Sequence, residues 1–158
     1  MSKRPIPAAG AIVTAVLVLL FANPPFVDWI NDPNNVNPDG VIGRLLRWLT
    51  WPAWEFWPGD MSTAQFIAVE ARAILIIALV FGILAWLAKG IGAGNVAFVV
   101  GWVAVILGAA LASFIAYFIG AGNGSKFSTA LDFLADGGTY GLFVGWIVGI
   151  GCMLAKRG

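Results

Sequence analysis

Four stretches of this chain are apolar, uncharged or nearly so, and long enough to cross a lipid bilayer as a helix, which needs roughly 20 such residues for about 30 Å of hydrocarbon. They cover residues 7–24, 66–88, 96–120 and 138–154. The second and third carry no charged side chain between Arg72 and Lys89 or between Lys89 and Lys126. No other feature restricts the fold so strongly. A backbone inside hydrocarbon must satisfy its own hydrogen bonds, so these stretches predict an all-α membrane protein with four transmembrane helices in a single domain, residues 1–158. Composition agrees: 60% of the 158 residues are hydrophobic and 11% charged, against about 25% charged in soluble domains. A chain of this size cannot bury so much apolar surface in one water-soluble core.

The first stretch also has the outline of a secretory signal, with Lys3 and Arg4 before an apolar run that ends near Ala22. Leu20 at the minus-three position is too large for a cleavage site there, so a retained span is expected. The fourth stretch is short and is expected to be tilted less, or to be extended by the residues before it.

The distribution of charge orients the spans. Lys3, Arg4, Lys89, Lys156 and Arg157 fall on one side with no acidic residue among them. Asp28, Asp32, Asp39, Glu55, Asp60, Asp132 and Asp136 fall on the other, mixed with Arg44, Arg47 and Lys126. The positive-inside rule places the first set, and with it both termini, in the cytoplasm. Short loops suit a bacterial cytoplasmic membrane.

Helix ends are marked in places. Residues 62–65 have capping-box spacing before the second span. Asn95 is a candidate cap for the third, after a glycine-rich turn over residues 90–94 short enough to make spans two and three antiparallel neighbours.

Three groups of residues stand out within this layout. Gly141, Gly145 and Gly149 recur every fourth residue and so lie on one helix face, with Gly101, Gly108 and Ala112 of the third span as a counterpart. Helices in lipid associate by close van der Waals approach, which such a glycine ladder permits. Its plain reading is packing within the chain. Its sharper readings are an oligomer interface or a pore lining, with Ser113 and Tyr117 almost the only polar candidates for a lumen.

The second group lies in the outer loop, residues 27–61. Turn chemistry dominates residues 31–40. Residues 41–51 then cluster apolar side chains at Val41, Leu45, Trp48 and Leu49 and leave Arg44 and Arg47 on the polar side, as in an amphipathic helix on a membrane surface. Trp48, Trp51, Trp54 and Trp57 fall three apart, while Pro52 and Pro58 break any continuous helix. An aromatic belt in the headgroup region is the default expectation. A docking surface for a partner protein, or a site that stacks a lipid, pigment, quinone or sugar, are the alternatives.

The third group is Glu70 and Arg72 at the outer edge of span two. Residues two apart on a helix do not face one another, so each is expected to find its own partner, with water, Asp132 or Asp136 available to Arg72. Interfacial charge is the plain reading; a proton or ion role for Glu70, or an intersubunit salt bridge, would be functional ones. Residues 125–136 are read as a short amphipathic helix on the outer surface, with Asp136, Gly137 and Gly138 as a turn.

The chain has no histidine and a single cysteine, Cys152. Ser–His, Cys–His and His-ligated metal schemes are therefore closed to it, and paired carboxylates (Asp28 with Asp32, Asp132 with Asp136) are weak candidates. No enzyme activity, metal or cofactor is expected. A net charge of +1 gives no electrostatic basis for a nucleic-acid partner. The expected role is a small structural or accessory subunit of a larger membrane assembly, with membrane lipids, other integral membrane subunits or copies of itself as partners. The alternative is a pore-forming or permease-component homo-oligomer packed through small-residue faces.

Overall fold

The computed structural model describes residues 6–37, 39–87, 90, 94–121, 124 and 126–157. Lys3, Arg4, Lys89, the glycine-turn residues 91–93 and the side chain of Arg157, which enter the charge and turn expectations above, lie outside the described set. Among the described residues the fold is all-helical. Its elements are α1 (Ile6–Phe21), α2 (Pro24–Asn31), α3 (Val41–Leu49), α4 (Thr63–Leu87), α5 (Gly94–Ala121) and α6 (Phe127–Arg157). Helices α4, α5 and most of α6 (Phe127–Lys156) are each long and apolar enough to cross a membrane, and α1 with α2 meets that condition jointly across a 53° bend. Such helices are compatible with an integral membrane protein.

The α1–α2 junction and the start of α4 have local causes. Asn23 makes the α1–α2 bend. Its Nδ2 donates to the Leu19 and Leu20 carbonyls at 3.0 and 2.8 Å, while its Oδ1 accepts from the Phe26 amide at 3.0 Å. One side chain thus closes the end of one helix and caps the start of the next. Pro24 and Pro25 follow in the first turn of α2, where a missing N–H costs nothing. At α4 the capping box is formed: the Ser62 amide donates to Gln65 Oε1 at 2.9 Å and the Gln65 amide to Ser62 Oγ at 3.3 Å. Asn95 does not cap α5, because the helix already begins at Gly94.

Residues 127–136 are not a separate surface helix. They are the first turns of α6, which runs unbroken through Asp136, Gly137 and Gly138. Gly137 packs closely against α5. A Cβ on Gly137 would collide with the Ala109 carbonyl and lie 2.6 Å from Ser113 Oγ.

Helices α4, α5 and α6 pack in sequence as antiparallel neighbours, and α1 lies in the groove between α4 and α6. The start of α1 meets the end of α6, since a Cβ on Gly10 would stand 3.2 Å from Cys152 Sγ. Ile76, Val80 and Leu84 of α4, Ala104, Val105 and Ala109 of α5, and Tyr140, Val144 and Val148 of α6 form the core. Polar side chains within the bundle turn back on their own helices. Thr14, Ser113 and Thr139 donate to the carbonyls four residues earlier at 2.8, 3.0 and 2.8 Å, which satisfies the hydroxyls without a partner across the bundle.

Candidate functional site

Helix α1 has 16 residues, so it covers only roughly 24 Å at 1.5 Å per residue. Helices α4, α5 and α6 are longer. The C-terminal end of α1 is met by the chain that follows α3. This strap, residues 50–57, joins α1, α4 and α6 by named contacts. The Trp54 amide donates to the Ala22 carbonyl at 3.2 Å. The Glu55 amide donates to Glu70 Oε1 at 2.8 Å. Arg72 Nη2 donates to the Ala53 carbonyl at 3.3 Å. An irregular segment of this kind has backbone groups with no ladder to join, and the two charged side chains of α4 supply partners for two of them.

The aromatic rings extend the same junction. The Arg72 guanidinium carbon lies 4.9 Å from the centroid of the Trp51 ring, and that ring stacks on Tyr140 of α6 at 5.1 Å and 25°. Cation, indole and phenol therefore form one column linking α4, the strap and α6. Trp48 stacks on Phe143 one turn further along α6, at 5.4 Å and 24°. Trp54 packs with Val18, Ala22 and Ala73 between α1 and α4.

The four tryptophans thus divide. Trp48, Trp51 and Trp54 turn into the bundle as packing groups, and only Trp57, 72% exposed, stands out in the manner of a belt residue. Period-three spacing carries no sign of this division, because Pro52 and the turns around it reset the direction of each ring. Arg72 finds a carbonyl and an indole face rather than Asp132 or Asp136, and Glu70 finds a strap amide. Arg44 and Arg47 are exposed on α3, beside an apolar face in which Val41 and Ile42 are 76% and 71% exposed.

The glycine ladder lies against α5. A Cβ on Gly141 would collide with Ile106; one on Gly145 would stand 2.5 Å from Trp102 Cδ1; one on Gly149 would stand 2.6 Å from the Phe98 carbonyl. At Gly145 the missing side chain admits the Trp102 indole, whose Nε1 donates to the Leu142 carbonyl across the interface at 3.0 Å. Gly137 is a fourth rung that its position beside Gly138 disguised as a turn. Of the proposed counterpart, Gly101 meets Gly149 and Cys152, whereas Gly108 faces α4, where a Cβ would stand 2.9 Å from Val80 Cγ2. Ala112 and Ser113 are fully buried.

Beyond the strap, a cleft of about 810 Å³ opens between the 55–61 loop, the first turns of α4, the end of α5 and the start of α6. Glu55, Asp60, Gln65, Arg72, Tyr117 and Phe133 are among its lining residues. It was not legible in the sequence, since its walls come from four separate segments. The Tyr117 hydroxyl accepts from the Lys126 amide at 2.8 Å, and its ring lies 5.1 Å from that of Phe133. Among the described residues, no group of three or more His, Cys, Asp or Glu side chains is placed to hold a metal.

No protein-family model matches the chain, and neither a curated protein nor a solved structure resembles it significantly.

Proposed function

We propose that the protein is a four-span membrane subunit that acts as a non-catalytic structural or accessory component of a larger membrane assembly. In this reading the bent α1–α2 pair makes the first crossing. Both termini lie in the cytoplasm, by the basic residues near the span ends, and the strap with α3 lies outside. The short loops favour a bacterial cytoplasmic membrane.

The observation that carries the reading is that the small-residue faces of the spans are engaged within the chain. Gly137, Gly141, Gly145 and Gly149 admit α5, and Gly108 and Gly120 admit α4. Close packing of this kind makes a rigid body. What remains outward on the spans is large and apolar, including Ile74, Phe81 and Trp86 of α4, Leu107 and Leu111 of α5, and Trp146 and Leu154 of α6. Lipid covers such a surface, and so does an apolar neighbour in an assembly. A lumen built on the ladder would require that face to leave α5.

Mild-detergent purification of the tagged protein from its native membrane, with native mass measurement, tests the proposal. A reproducible set of other integral membrane chains at fixed stoichiometry supports it. A closed ring of this chain alone would overturn it and favour the pore reading.

A further inference from the structure

We propose that the outer cleft is a binding site for the headgroup of a zwitterionic phospholipid, with the phosphate on Arg72 and the ammonium group on Glu55 and Asp60. The cleft has the volume of a small-molecule site, for which about 300–1,000 Å³ is usual, and its lining is mixed in a particular way.

Arg72 enters it as a cation which, among the described residues, is matched by a carbonyl and an indole face but by no carboxylate, and whose Nε has no hydrogen-bond partner. A guanidinium carries five N–H donors; the Ala53 carbonyl takes one and Nε is itself buried, so the remaining Nη donors are the ones that would hold a phosphate. Two carboxylates, Glu55 and Asp60, line the same cleft. They repel a purely anionic ligand and attract an ammonium group, so a ligand with both charges answers the whole lining. The Tyr117 hydroxyl, which accepts from the Lys126 amide, keeps its own proton to donate.

Apolar groups at the rim point to a lipid rather than a soluble zwitterion. Phe56 and the lining residue Trp57 are both exposed and lie 5.6 Å apart. Phe118 and Ile119 beside Tyr117 on α5 are likewise turned outward. Acyl chains leaving the cleft would meet these surfaces. Indole rings favour that depth in a bilayer.

The site rests on the membrane orientation proposed above, with the cleft on the outer side. Native mass spectrometry separates the two proposals, because bound lipid and partner chains add different masses.

The test uses the full-length protein delipidated in detergent and titrated with phosphatidylethanolamine, phosphatidylglycerol or soluble phosphoethanolamine. One phosphatidylethanolamine is expected to bind with at least a ten-fold preference over phosphatidylglycerol, and phosphoethanolamine at the same concentration should not displace it. Arg72→Gln should remove binding, but that change also touches the strap. The informative variant is therefore the double substitution Glu55→Gln and Asp60→Asn. It leaves the Glu55 amide bond to Glu70 in place and should reduce the preference to less than two-fold with unchanged thermal stability. Equal binding of the two lipids by the unmodified protein would overturn the proposal, as would an unchanged preference in the double variant. Displacement by phosphoethanolamine at equal concentration would overturn the lipid assignment.

Discussion

Arg72 and Trp51 meet as cation and ring, with the guanidinium carbon 4.9 Å from the indole centroid, one on a membrane-length helix and the other in the irregular segment that precedes it. The contact has value because the indole has a second partner. Tyr140 stacks against the ring at 5.1 Å, and the same guanidinium holds the Ala53 carbonyl. Removing the ring therefore loosens the strap from α4 and α6 together. Trp51→Ala should lower stability by about 2–4 kcal/mol, from the lost ring burial and the cation–π contact. Trp51→Phe should retain most of the stacking and lose about half as much. Thermal unfolding in detergent, with limited proteolysis across residues 50–57, measures both.

Glu70 holds the strap by accepting a hydrogen bond from the Glu55 amide. Glu70→Gln keeps an acceptor oxygen at the same place and should cost less than about 1 kcal/mol. Glu70→Ala leaves that part-buried amide unpaired and should cost about 1–3 kcal/mol. Proteolysis near residue 55 should rise only for the alanine variant. A proton or ion role for Glu70 would instead appear as altered flux in the glutamine variant.

The glycines divide by what faces them. Gly145→Leu should disrupt the α5–α6 interface, because even the first carbon of a side chain would meet the Trp102 ring and carbonyl. The expected loss is about 3 kcal/mol or more, with the Trp102–Leu142 hydrogen bond broken. Gly82→Ala is the matching control. Nothing lies within 4 Å of a Cβ there, so the change should stabilise α4 by up to about 1 kcal/mol. Unchanged unfolding temperatures for Gly145→Leu would remove the ladder from the packing account.

Asn23 joins two helices with one side chain. Asn23→Ala loses the cap on the Phe26 amide and both bonds to α1 carbonyls, and should cost about 1–2 kcal/mol. Asn23→Asp keeps the acceptor but loses the two donors, so it should fall between alanine and the unmodified protein. Distances between spin labels on α1 and α2 should broaden in both variants as the 53° bend relaxes.

The helical, membrane-compatible character of the chain was legible because uncharged length is a local property: a run without charge between Arg72 and Lys89 has the same meaning wherever it packs. The cap at Ser62 was legible for the same reason, as was the amphipathic α3, since both depend on residues within a turn or two of one another. The spacing of Gly141, Gly145 and Gly149 puts them on one helix face, and what that face meets was a tertiary matter. Only the placement of α5 turned it inward, and Gly137 and Gly138 are helical where local chemistry favours a turn. Equally spaced tryptophans acquired different roles because Pro52 breaks the helix between them, leaving the short α1 and the neighbouring α4 and α6 to decide which rings are covered. The cleft with Arg72, Glu55, Asp60 and Tyr117 on its walls belongs wholly to the tertiary structure. Its walls come from segments that meet only when the bundle closes, and no periodicity along a chain can record a distance across it.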